Sequence, residues 1–324
     1  MAGFSRILLT GGGGFVGSHL AASLAAAYPA AERFMLSRSG HGQAQWAPVS
    51  ADLRDEAGME RVVAAARPDL VVHLAGQASV GQALNAAEET WRTNFLGSFH
   101  LAGALARHAP EVTLLFASSA TVYGESLRDG VATENSPSRP RDPYGRSKLA
   151  AEGALGDILG PGARLIVARP VNHAGPGQNS RNFVLASFAA QIAAIESGRR
   201  EPQLMVGDLG KSRDFLDVRD VVDAYLQLIA VAPYLPERVN RFNVSSGAPC
   251  TIRSCLERLR ALATRPFAVE VDESLLRPSA ADIDTIALDS AKLRAATGWR
   301  PRCSLDDLLQ SLLDYWRVEE RRIA

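Results

Sequence analysis

A short apolar run that leads directly into a glycine-rich turn is the feature that most limits how this chain of 324 residues can fold. The pattern of Ile7–Thr10 predicts a strand, and Gly11, Gly14 and Gly17 follow it at intervals of three residues. A helical pattern over Phe15–Tyr28 begins within the same turn. Strand, glycine turn and helix in immediate succession are typical of a dinucleotide-binding unit.

Each residue of this turn has a physical role in such a unit. Gly11 permits a tight turn, Gly14 lets a pyrophosphate approach the main chain, and Gly17 allows the helix to pack closely on the strand. The first amides of the helix then face the anion. We therefore expect Gly11, Gly14, Phe15, Val16 and Gly17 to bind the cofactor.

Apolar strands alternate with helical patterns through the first half of the chain. Strands that are apolar throughout and separated by helices imply a parallel sheet covered on both faces. Right-handed crossovers then predict an α/β fold with a doubly wound parallel sheet, a Rossmann fold. The expected later strands are Phe34–Ser37, Leu70–Leu74, Val112–Ala117 and Leu165–Ala168, and the expected later helices are Glu56–Ala66, one within Ala86–His108, and Tyr144–Leu159.

The pattern changes after Pro170, where loop signals separate further helices and a short strand at Phe242–Val244. We expect a Rossmann domain over 1–171, to which a segment at about 212–246 returns. We expect 172–324 to form mainly a smaller, partly interleaved α+β domain that binds the substrate. The helical patterns of this part are Phe183–Glu196, Val218–Ala230, Ile252–Leu262, Ala291–Ala296 and the apolar stripe that begins at Leu308.

Composition excludes several classes of protein. Lys plus Arg and Asp plus Glu both number 35, so no net charge attracts nucleic acid or an anionic membrane. No segment resembles a signal peptide, and no apolar run approaches the ~18 residues that span a bilayer. Three cysteines are too few for a disulfide framework, and the spacing of Cys250 and Cys255 does not match a zinc site. We expect reduced thiols, a cytoplasmic location and no metal.

The end of the second predicted strand indicates which dinucleotide binds. A site for NAD(H) would place a carboxylate there for the ribose 2′-hydroxyl, and residues 33 to 45 contain none. Arg38 instead offers a guanidinium for a 2′-phosphate, so the sequence favours NADP(H). Asp52 and Leu53 are expected beside the adenine. Leu74, Ala75 and Gly76 end a later predicted strand, where small residues let the main chain lie against the cofactor, and we expect all three to contact it.

Tyr144 and Lys148 stand four residues apart on a predicted helix and so share one face. Ser118 and Ser119 end the preceding strand, at the carboxyl edge where open α/β sheets bind ligands. We expect Tyr144 to transfer the proton and Ser119 to hydrogen-bond the reacting oxygen. Lys148 is expected to hold the ribose and to lower the pKa of Tyr144 by its charge. Ser118 is expected to contact the cofactor.

Five stretches together resemble the extended short-chain dehydrogenase/reductase family, and the resemblance covers essentially the whole chain. It implies an enzyme that acts on nucleotide sugars, with a smaller C-terminal domain for the substrate. It also implies a homodimer whose interface is built from the helices within Ala86–His108 and Tyr144–Leu159. The stretches are the turn at 11–17, Asp52-Leu53, His73-Leu74-Ala75-Gly76, Ser119-Ala120-Thr121-Val122-Tyr123-Gly124 and Pro143-Tyr144-Gly145-Arg146-Ser147-Lys148.

Three further stretches, at 169–178, 206–220 and 276–294, are most similar to reductases of GDP-4-keto-6-deoxy-mannose that use NADPH. Carried over by position, Asn172 would contact the sugar diphosphate, and Arg213 and Arg277 would bind its phosphates. Arg181 is a candidate for the base or the phosphate. The guanidinium group of arginine can donate two parallel hydrogen bonds to a phosphate, which suits a diphosphate in a cleft that excludes part of the water.

Related dehydratases carry an acid pair directly after the position of Ser119, and Ala120 and Thr121 stand there in this chain. Dehydration is therefore disfavoured. The leading hypothesis is reduction of the C4 keto group of a GDP-4-keto-6-deoxyhexose to GDP-rhamnose or its C4 epimer. A nucleotide-sugar 4-epimerase with tightly bound NAD is the alternative. A cofactor-sensing protein without catalysis is a third, which the complete set of Ser119, Tyr144 and Lys148 argues against.

Overall fold

A central sheet of seven parallel strands organises the molecule, which we describe from a computed structural model covering residues 3–38, 43–276 and 283–323. The strands are β1 (Arg6–Thr10), β2 (Glu32–Ser37), β3 (Ala47–Ser50), β4 (Leu70–His73), β5 (Thr113–Ala117), β6 (Arg164–Pro170) and β11 (Val239–Val244). Their order is β3-β2-β1-β4-β5-β6-β11, so it reverses between β1 and β4. At that reversal the crossovers leave to opposite faces and a crevice opens at the carboxyl edge.

Helices cover both faces of this sheet, and the predicted doubly wound fold is confirmed. Helices α1 (Phe15–Ala27) and α8 (Val218–Val231) pack on one face, where Leu24 and Tyr225 join a single buried cluster. Helices α2 (Glu56–Ala66), α5 (Gly97–His108) and α6 (Pro143–Ile158) cover the other face. Each fully buried leucine in these layers contributes roughly 1.5–3 kcal/mol to stability, so both faces hold the sheet.

The long helix expected within Ala86–His108 is present but is not uniform. Short helix α3 (Val80–Asn85) precedes α4 (Ala87–Trp91), and a π-helical turn over Arg92–Leu96 connects α4 to α5. Single π-helical turns inside α-helices are frequent at functional sites. The side chain of Asn94 lies within this turn and is buried.

The remaining elements form a smaller region with its own apolar cluster, to which Phe188, Leu256 and Leu309 belong. Its strands have two to four residues, and none of them was predicted, because runs so short show no periodicity. Its helices are α7 (Val184–Glu196), α9 (Ile252–Leu262) and α11 (Leu305–Ile323), and its strands are β7 (Asn172–Ala174), β8 (Gln203–Val206), β9 (Ser212–Arg213), β10 (Phe215–Asp217), β12 (Cys250–Thr251), β13 (Ala268–Val271) and β14 (Thr285–Ile286). Helix α10 (Ala291–Thr297) instead packs on the main body, where Leu293 joins the cluster of Leu24 and Tyr225.

The two regions are interleaved along the chain. Strand β11 pairs with β6 in the main sheet, and α8 packs against α1, although both follow residue 171. The exact division into domains at that residue stays a prediction. Within the described ranges, no helix has the length and apolarity needed to cross a bilayer.

Candidate active site

The glycine turn after β1 has the shape that a bound pyrophosphate requires. Gly11 has a φ of +73°, and a Cβ there would lie 2.6 Å from the amide nitrogen of Ala75. A Cβ at Gly17 would lie 2.1 Å from the carbonyl oxygen of Gly11. Gly14 is the N-cap of α1, so the first amides of that helix open onto the turn. These residues therefore fit a dinucleotide cofactor.

The end of β4 lies against this turn. The amide of Ala75 donates to Thr10 Oγ1 at 3.2 Å, which joins the ends of β1 and β4. A Cβ at Gly76 would lie 2.8 Å from Asn94 Oδ1 and 3.5 Å from Lys148 Nζ. Leu74 is partly buried in the cluster beneath the turn. The structure thus brings the predicted strand-end residues together with the lysine of the predicted catalytic set.

Arg38 and Asp52 lie near one another at the ends of β2 and β3. Asp52 accepts hydrogen bonds from Arg54, whose Nη2 lies 2.6 Å away, and the nearby charge of Arg38 adds a smaller effect. These cations lower the pKa of Asp52 to about 2. Leu53 is buried against Gly97, where a Cβ would lie 2.8 Å from the leucine Cβ. Because Arg54 bonds both oxygens of Asp52, the predicted bond from adenine would share an acceptor that is already in use.

Tyr144 and Ser119 face each other although they lie on different elements. Tyr144 is in the first turn of α6, which Asp142 caps by accepting from the amide of Gly145 at 2.8 Å. The Tyr144 side chain hydrogen-bonds Ser119, whose Oγ also accepts from Thr121 Oγ1 at 3.0 Å. A Cβ at Gly145 would lie 2.8 Å from the carbonyl oxygen of Thr121. Close packing of α6 on the turn after β5 therefore depends on that glycine.

Burial governs the charge states of the two predicted catalytic side chains on α6. It raises the pKa of Tyr144 to about 12, and the hydrogen bond with Ser119 offsets only part of this shift. It also lowers the pKa of Lys148 to about 8. Lys148 Nζ donates to the carbonyl oxygen of Ala117 at 2.9 Å and lies over the ring of Phe116.

Lys148 is not among the groups that set the pKa of Tyr144 in this structure, so its predicted effect on the phenol stays a prediction. The ammonium is directed towards the end of β5, and burial of the phenol dominates. Tyr144 is therefore protonated at neutral pH, which is the form that donates a proton. Burial lowers the pKa of His73, the last residue of β4, to about 3, so this neighbour of Lys148 is neutral.

A buried ion pair lies behind Lys148. Glu152 follows it by one helical turn and pairs with Arg169, with Nε at 2.9 Å and Nη2 at 2.6 Å from the carboxylate oxygens. The Ser118 hydroxyl donates to the same carboxylate, and the Ser118 amide donates to the Ala168 carbonyl. The Ser118 hydroxyl proton is therefore already used in the bond to Glu152 and is not free to bind the cofactor as predicted. Burial outweighs the attraction of Glu152 for the ammonium of Lys148.

Asn94 belongs to the site and was not predicted. Its Oδ1 accepts from the amide of Gln77 at 2.8 Å, and its Nδ2 donates to Ser147 Oγ at 3.1 Å. It therefore joins the loop after β4 to the helix that carries Tyr144 and Lys148. Hydrophobic spacing predicts that a helix is present here, but it does not distinguish a single π-helical turn from an α-helical one.

A cavity of about 220 Å³ lies in the smaller region, beside this site. Asn172, Arg181 and Arg213 line it together, although they are up to 41 residues apart in sequence. Lys211 also lines it, with Nζ 2.7 Å from Asp284, and was missed because an isolated lysine carries no pattern. Arg277 lies outside the described residues.

Strand β7 and the segment that follows it connect the cavity to the glycine turn. Phe15 of α1 stacks on His173, with ring centroids 6.1 Å apart. His19 Nε2 lies 2.9 Å from the carbonyl oxygen of Pro176. A ligand in the cavity therefore lies next to the element that is expected to hold the cofactor.

Comparison with known proteins agrees with this arrangement. A family model described as GDP-mannose 4,6 dehydratase matches residues 8–312. The chain is 36% identical to GDP-6-deoxy-D-mannose reductase of Pseudomonas aeruginosa over 98% of both sequences.

Solved structures with the same fold include two that were determined with nicotinamide dinucleotides. RMD from Pseudomonas aeruginosa, complexed with NADPH, matches with a TM-score of 0.80 and 36% identity, over 97% of this chain and 100% of that one. UDP-glucose 4-epimerase of Thermus thermophilus, in complex with NAD, matches with a TM-score of 0.82 and 30% identity, over 96% and 99%. The sequence match, the shared fold and the geometry of the site agree, and this chain belongs to the GDP-mannose 4,6 dehydratase family of extended short-chain dehydrogenases/reductases.

Proposed function

We propose that this protein is an oxidoreductase that uses NADPH to reduce the C4 keto group of a GDP-4-keto-6-deoxyhexose. The product is GDP-rhamnose or its C4 epimer. The observation that carries the proposal is the meeting of Ser119, Tyr144 and Lys148 at the carboxyl edge of the sheet, next to a cavity lined by Arg181 and Arg213. The similarity to a GDP-6-deoxy-D-mannose reductase supports it.

Ser119, Tyr144 and Lys148 each have a separate role in the proposed reduction. The nicotinamide cofactor, when bound, supplies the hydride that reduces the carbonyl carbon. Ser119 hydrogen-bonds the carbonyl oxygen and polarises it. Tyr144, protonated at neutral pH, donates its proton to that oxygen as negative charge develops, and it regains a proton from solvent afterwards. Lys148 holds the cofactor ribose, since its ammonium lies at the edge where β4 ends.

The lining of the cavity suits a nucleoside diphosphate sugar. A diphosphate brings about two negative charges, and Arg181 and Arg213 supply positive charge around the cavity. Lys211 also lines the cavity but is paired with the carboxylates of Asp208 and Asp284. Asn172 adds an amide for the diphosphate or the sugar. The apolar part of the lining, which includes Phe183, offers a surface for the base. Arg277 remains a candidate for the phosphates.

The choice of NADP(H) rests on Arg38. It is exposed at the end of β2, where a 2′-phosphate would need a cation. The similar RMD structure, complexed with NADPH, supports the same choice. Asp52, a carboxylate that is influenced by the charge of Arg38, is already paired with Arg54 through both oxygens and cannot bind a ribose hydroxyl freely.

Elimination of water and epimerisation, two reactions of related enzymes, fit the residues of this site less well than reduction does. Elimination of water needs an acid after Ser119, whereas Thr121 of this chain donates its hydroxyl to Ser119. Epimerisation needs no such acid, and a similar UDP-glucose 4-epimerase has the same fold. That alternative predicts a protein purified with bound NAD that acts without added reductant.

The test mixes the protein with NADPH and enzymatically made GDP-4-keto-6-deoxymannose. We expect stoichiometric loss of the nicotinamide absorbance, and NMR of the product sugar then assigns its C4 configuration. Tyr144→Phe should lower kcat about 10²- to 10⁴-fold and leave NADPH binding intact, because only the proton donor is removed. Turnover of another nucleotide sugar without loss of NADPH would contradict the proposal and favour the epimerase.

A homodimer is also part of the proposal. Trp91, Phe95 and Phe99 form a row of neighbouring rings along α4 and α5, and 43% of Phe99 is exposed. An exposed aromatic row on the helices that cover the sheet favours a two-fold interface. Phe99→Glu should give a monomer in analytical ultracentrifugation, whereas Tyr234→Glu, at a more exposed tyrosine, should stay dimeric.

We also propose a cytoplasmic location, because NADPH and nucleotide sugars are cytoplasmic metabolites. Free cysteines suit a reducing compartment. Fractionation of cells that express the full chain should recover the activity with the cytoplasmic enzymes.

A further inference from the structure

The start of helix α9 brings two thiols into contact. Thr251 is the N-cap, and its side chain accepts from the amide of Ser254 at 3.1 Å. Cys250 therefore precedes the cap, and Cys255 is the fourth residue of the helix. Side chains at these two positions commonly pack on each other and fix the angle at which the chain enters the helix. Here both positions are cysteines, and their sulfur atoms lie 3.4 Å apart.

The two thiols have unequal environments, as an attacking and a resolving cysteine would. Cys255 is fully buried among the apolar residues of the smaller region, whereas Cys250 is partly exposed. The hydrogen bond from Cys255 and, less strongly, the charge of Arg258 lower the pKa of Cys250, while the bond to Cys250 and burial raise the pKa of Cys255. Asp214 opposes the lowering at Cys250. The accessible thiol is thus the more readily ionised one, and the helix N-terminus beside it favours an anion.

The pair is adjacent to the predicted substrate cavity. Cys250 pairs with Arg213 across β12 and β9, and its sulfur lies 3.8 Å from the Arg213 carbonyl oxygen. Ile252, between the two cysteines, lines the cavity together with Arg213. A disulfide has a sulfur–sulfur distance of about 2.04 Å, so closing one would draw these sulfurs together by about 1.4 Å. That movement acts on the strand that holds Arg213.

We propose that Cys250 and Cys255 form a reversible disulfide that weakens nucleotide binding in the adjacent cavity. The coupling to the nucleotide rests on the function proposed above, whereas the disulfide does not. With glutathione disulfide as oxidant, the Cys250 thiolate attacks one sulfur and releases one glutathione thiolate. Cys255 then loses its proton, attacks the Cys250 sulfur and releases the second glutathione. Two protein thiols are oxidised and one glutathione disulfide is reduced to two thiols. Transient disulfides of this kind occur in reducing compartments.

Trypsin makes the disulfide directly measurable, because Arg253 lies between the two cysteines. The full-length protein is treated with glutathione disulfide, alkylated and digested. Peptides Phe242–Arg253 and Ser254–Arg258 should remain linked after oxidation and separate after dithiothreitol. Cys255→Ala should instead leave glutathione on Cys250. Cys303→Ser, which removes a thiol elsewhere, should leave the linked peptides unchanged.

The functional consequence is measured by calorimetry with GDP. Oxidation should raise the dissociation constant of GDP about fivefold or more, with recovery after reduction, and should leave NADPH affinity unchanged. Cys250→Ser should bind GDP equally well in both conditions. Unlinked peptides would overturn the proposal and leave the two thiols as a packing contact alone. Linked peptides with unchanged GDP affinity would overturn the coupling.

Failure of the proposed function gives a different result. If the reduced protein binds no GDP, the assigned substrate class is wrong, and the peptides still decide whether the disulfide forms. Hydrogen exchange over residues 209–215 then decides the coupling. Faster or slower exchange in the oxidised protein supports a displaced β9, and identical exchange refutes it.

Discussion

Substitution of Gly145 by alanine tests whether close approach of α6 to the turn after β5 assembles the catalytic site. A Cβ at this position would lie 2.8 Å from the Thr121 carbonyl oxygen, about 0.6 Å closer than the 3.4 Å at which ordinary contact begins. Neither atom can move alone, since Thr121 belongs to the turn that holds Ser119 and Gly145 follows Tyr144 directly. The helix start and the turn must therefore separate, and the hydrogen bond from Tyr144 to Ser119 lengthens.

The magnitude follows from that displacement. A misplacement of about 1 Å at reacting groups can cost about 10²-fold in rate, so we expect kcat for NADPH oxidation to fall roughly 10- to 100-fold. The substrate KM should change little, because the cavity residues lie on other elements. Thermal stability should change little, since alanine favours a helix by about 1 kcal/mol over glycine and offsets part of the strain.

Gly153→Ala is the matched control. Gly153 lies on the same helix, and a Cβ there would have no atom within 4 Å. It should keep the wild-type kcat and raise stability by up to about 1 kcal/mol. A wild-type kcat for Gly145→Ala, or an equal loss in both variants, would refute the reasoning that this contact positions Tyr144.

Three further predictions concern charge. The dissociation constant of NADPH, measured by fluorescence titration, should rise as pH passes about 8, because Lys148 loses its proton there and binds the ribose less tightly. The Lys148→Gln variant should show no such rise. Arg38→Ala should raise the KM for NADPH about 10- to 100-fold and leave that for NADH nearly unchanged, as steady-state kinetics would show. Arg169→Met should lower the free energy of unfolding in urea by up to about 3–5 kcal/mol, because it leaves the buried Glu152 carboxylate with Arg241, at 3.5 Å, as its remaining arginine partner. Arg92→Met, which breaks an exposed ion pair, should cost less than about 1 kcal/mol.

The order of strands and helices could be predicted because it follows from the spacing of apolar residues along short segments of the chain. Apolar runs of four to six residues separated by helical patterns indicated the parallel sheet, and the seven-stranded sheet confirms it. Helix caps are equally local: the side chains of Thr251 and Ser304 each accept a hydrogen bond from an amide in the first turn of the helix that follows. The very short strands were missed, since β9 is a strand only through its pairing with β12 and β14, which are distant in sequence.

In the candidate site, too, local spacing could be predicted from the sequence and effects of packing could not. The spacing of Tyr144 and Lys148 follows from one helical turn, so their shared face needed no knowledge of the fold. The pKa of Tyr144 could not be judged from spacing, because burial by distant elements dominates it. Cys250 and Cys255 were expected to be plain thiols, although their contact follows from the geometry of a helix start.

By itself, the sequence determined the chemistry that is available: a glycine turn for a pyrophosphate, a tyrosine and a lysine on one face, and a cation where NAD(H) would need an acid. Periodicity and local spacing are properties of neighbouring residues, which is why they can be read along the chain. Only the tertiary structure decided that Ser119 meets Tyr144, that Asn94 ties the β4 loop to α6, and that distant residues surround one cavity. Such contacts join segments that packing alone brings together, and no local pattern encodes them.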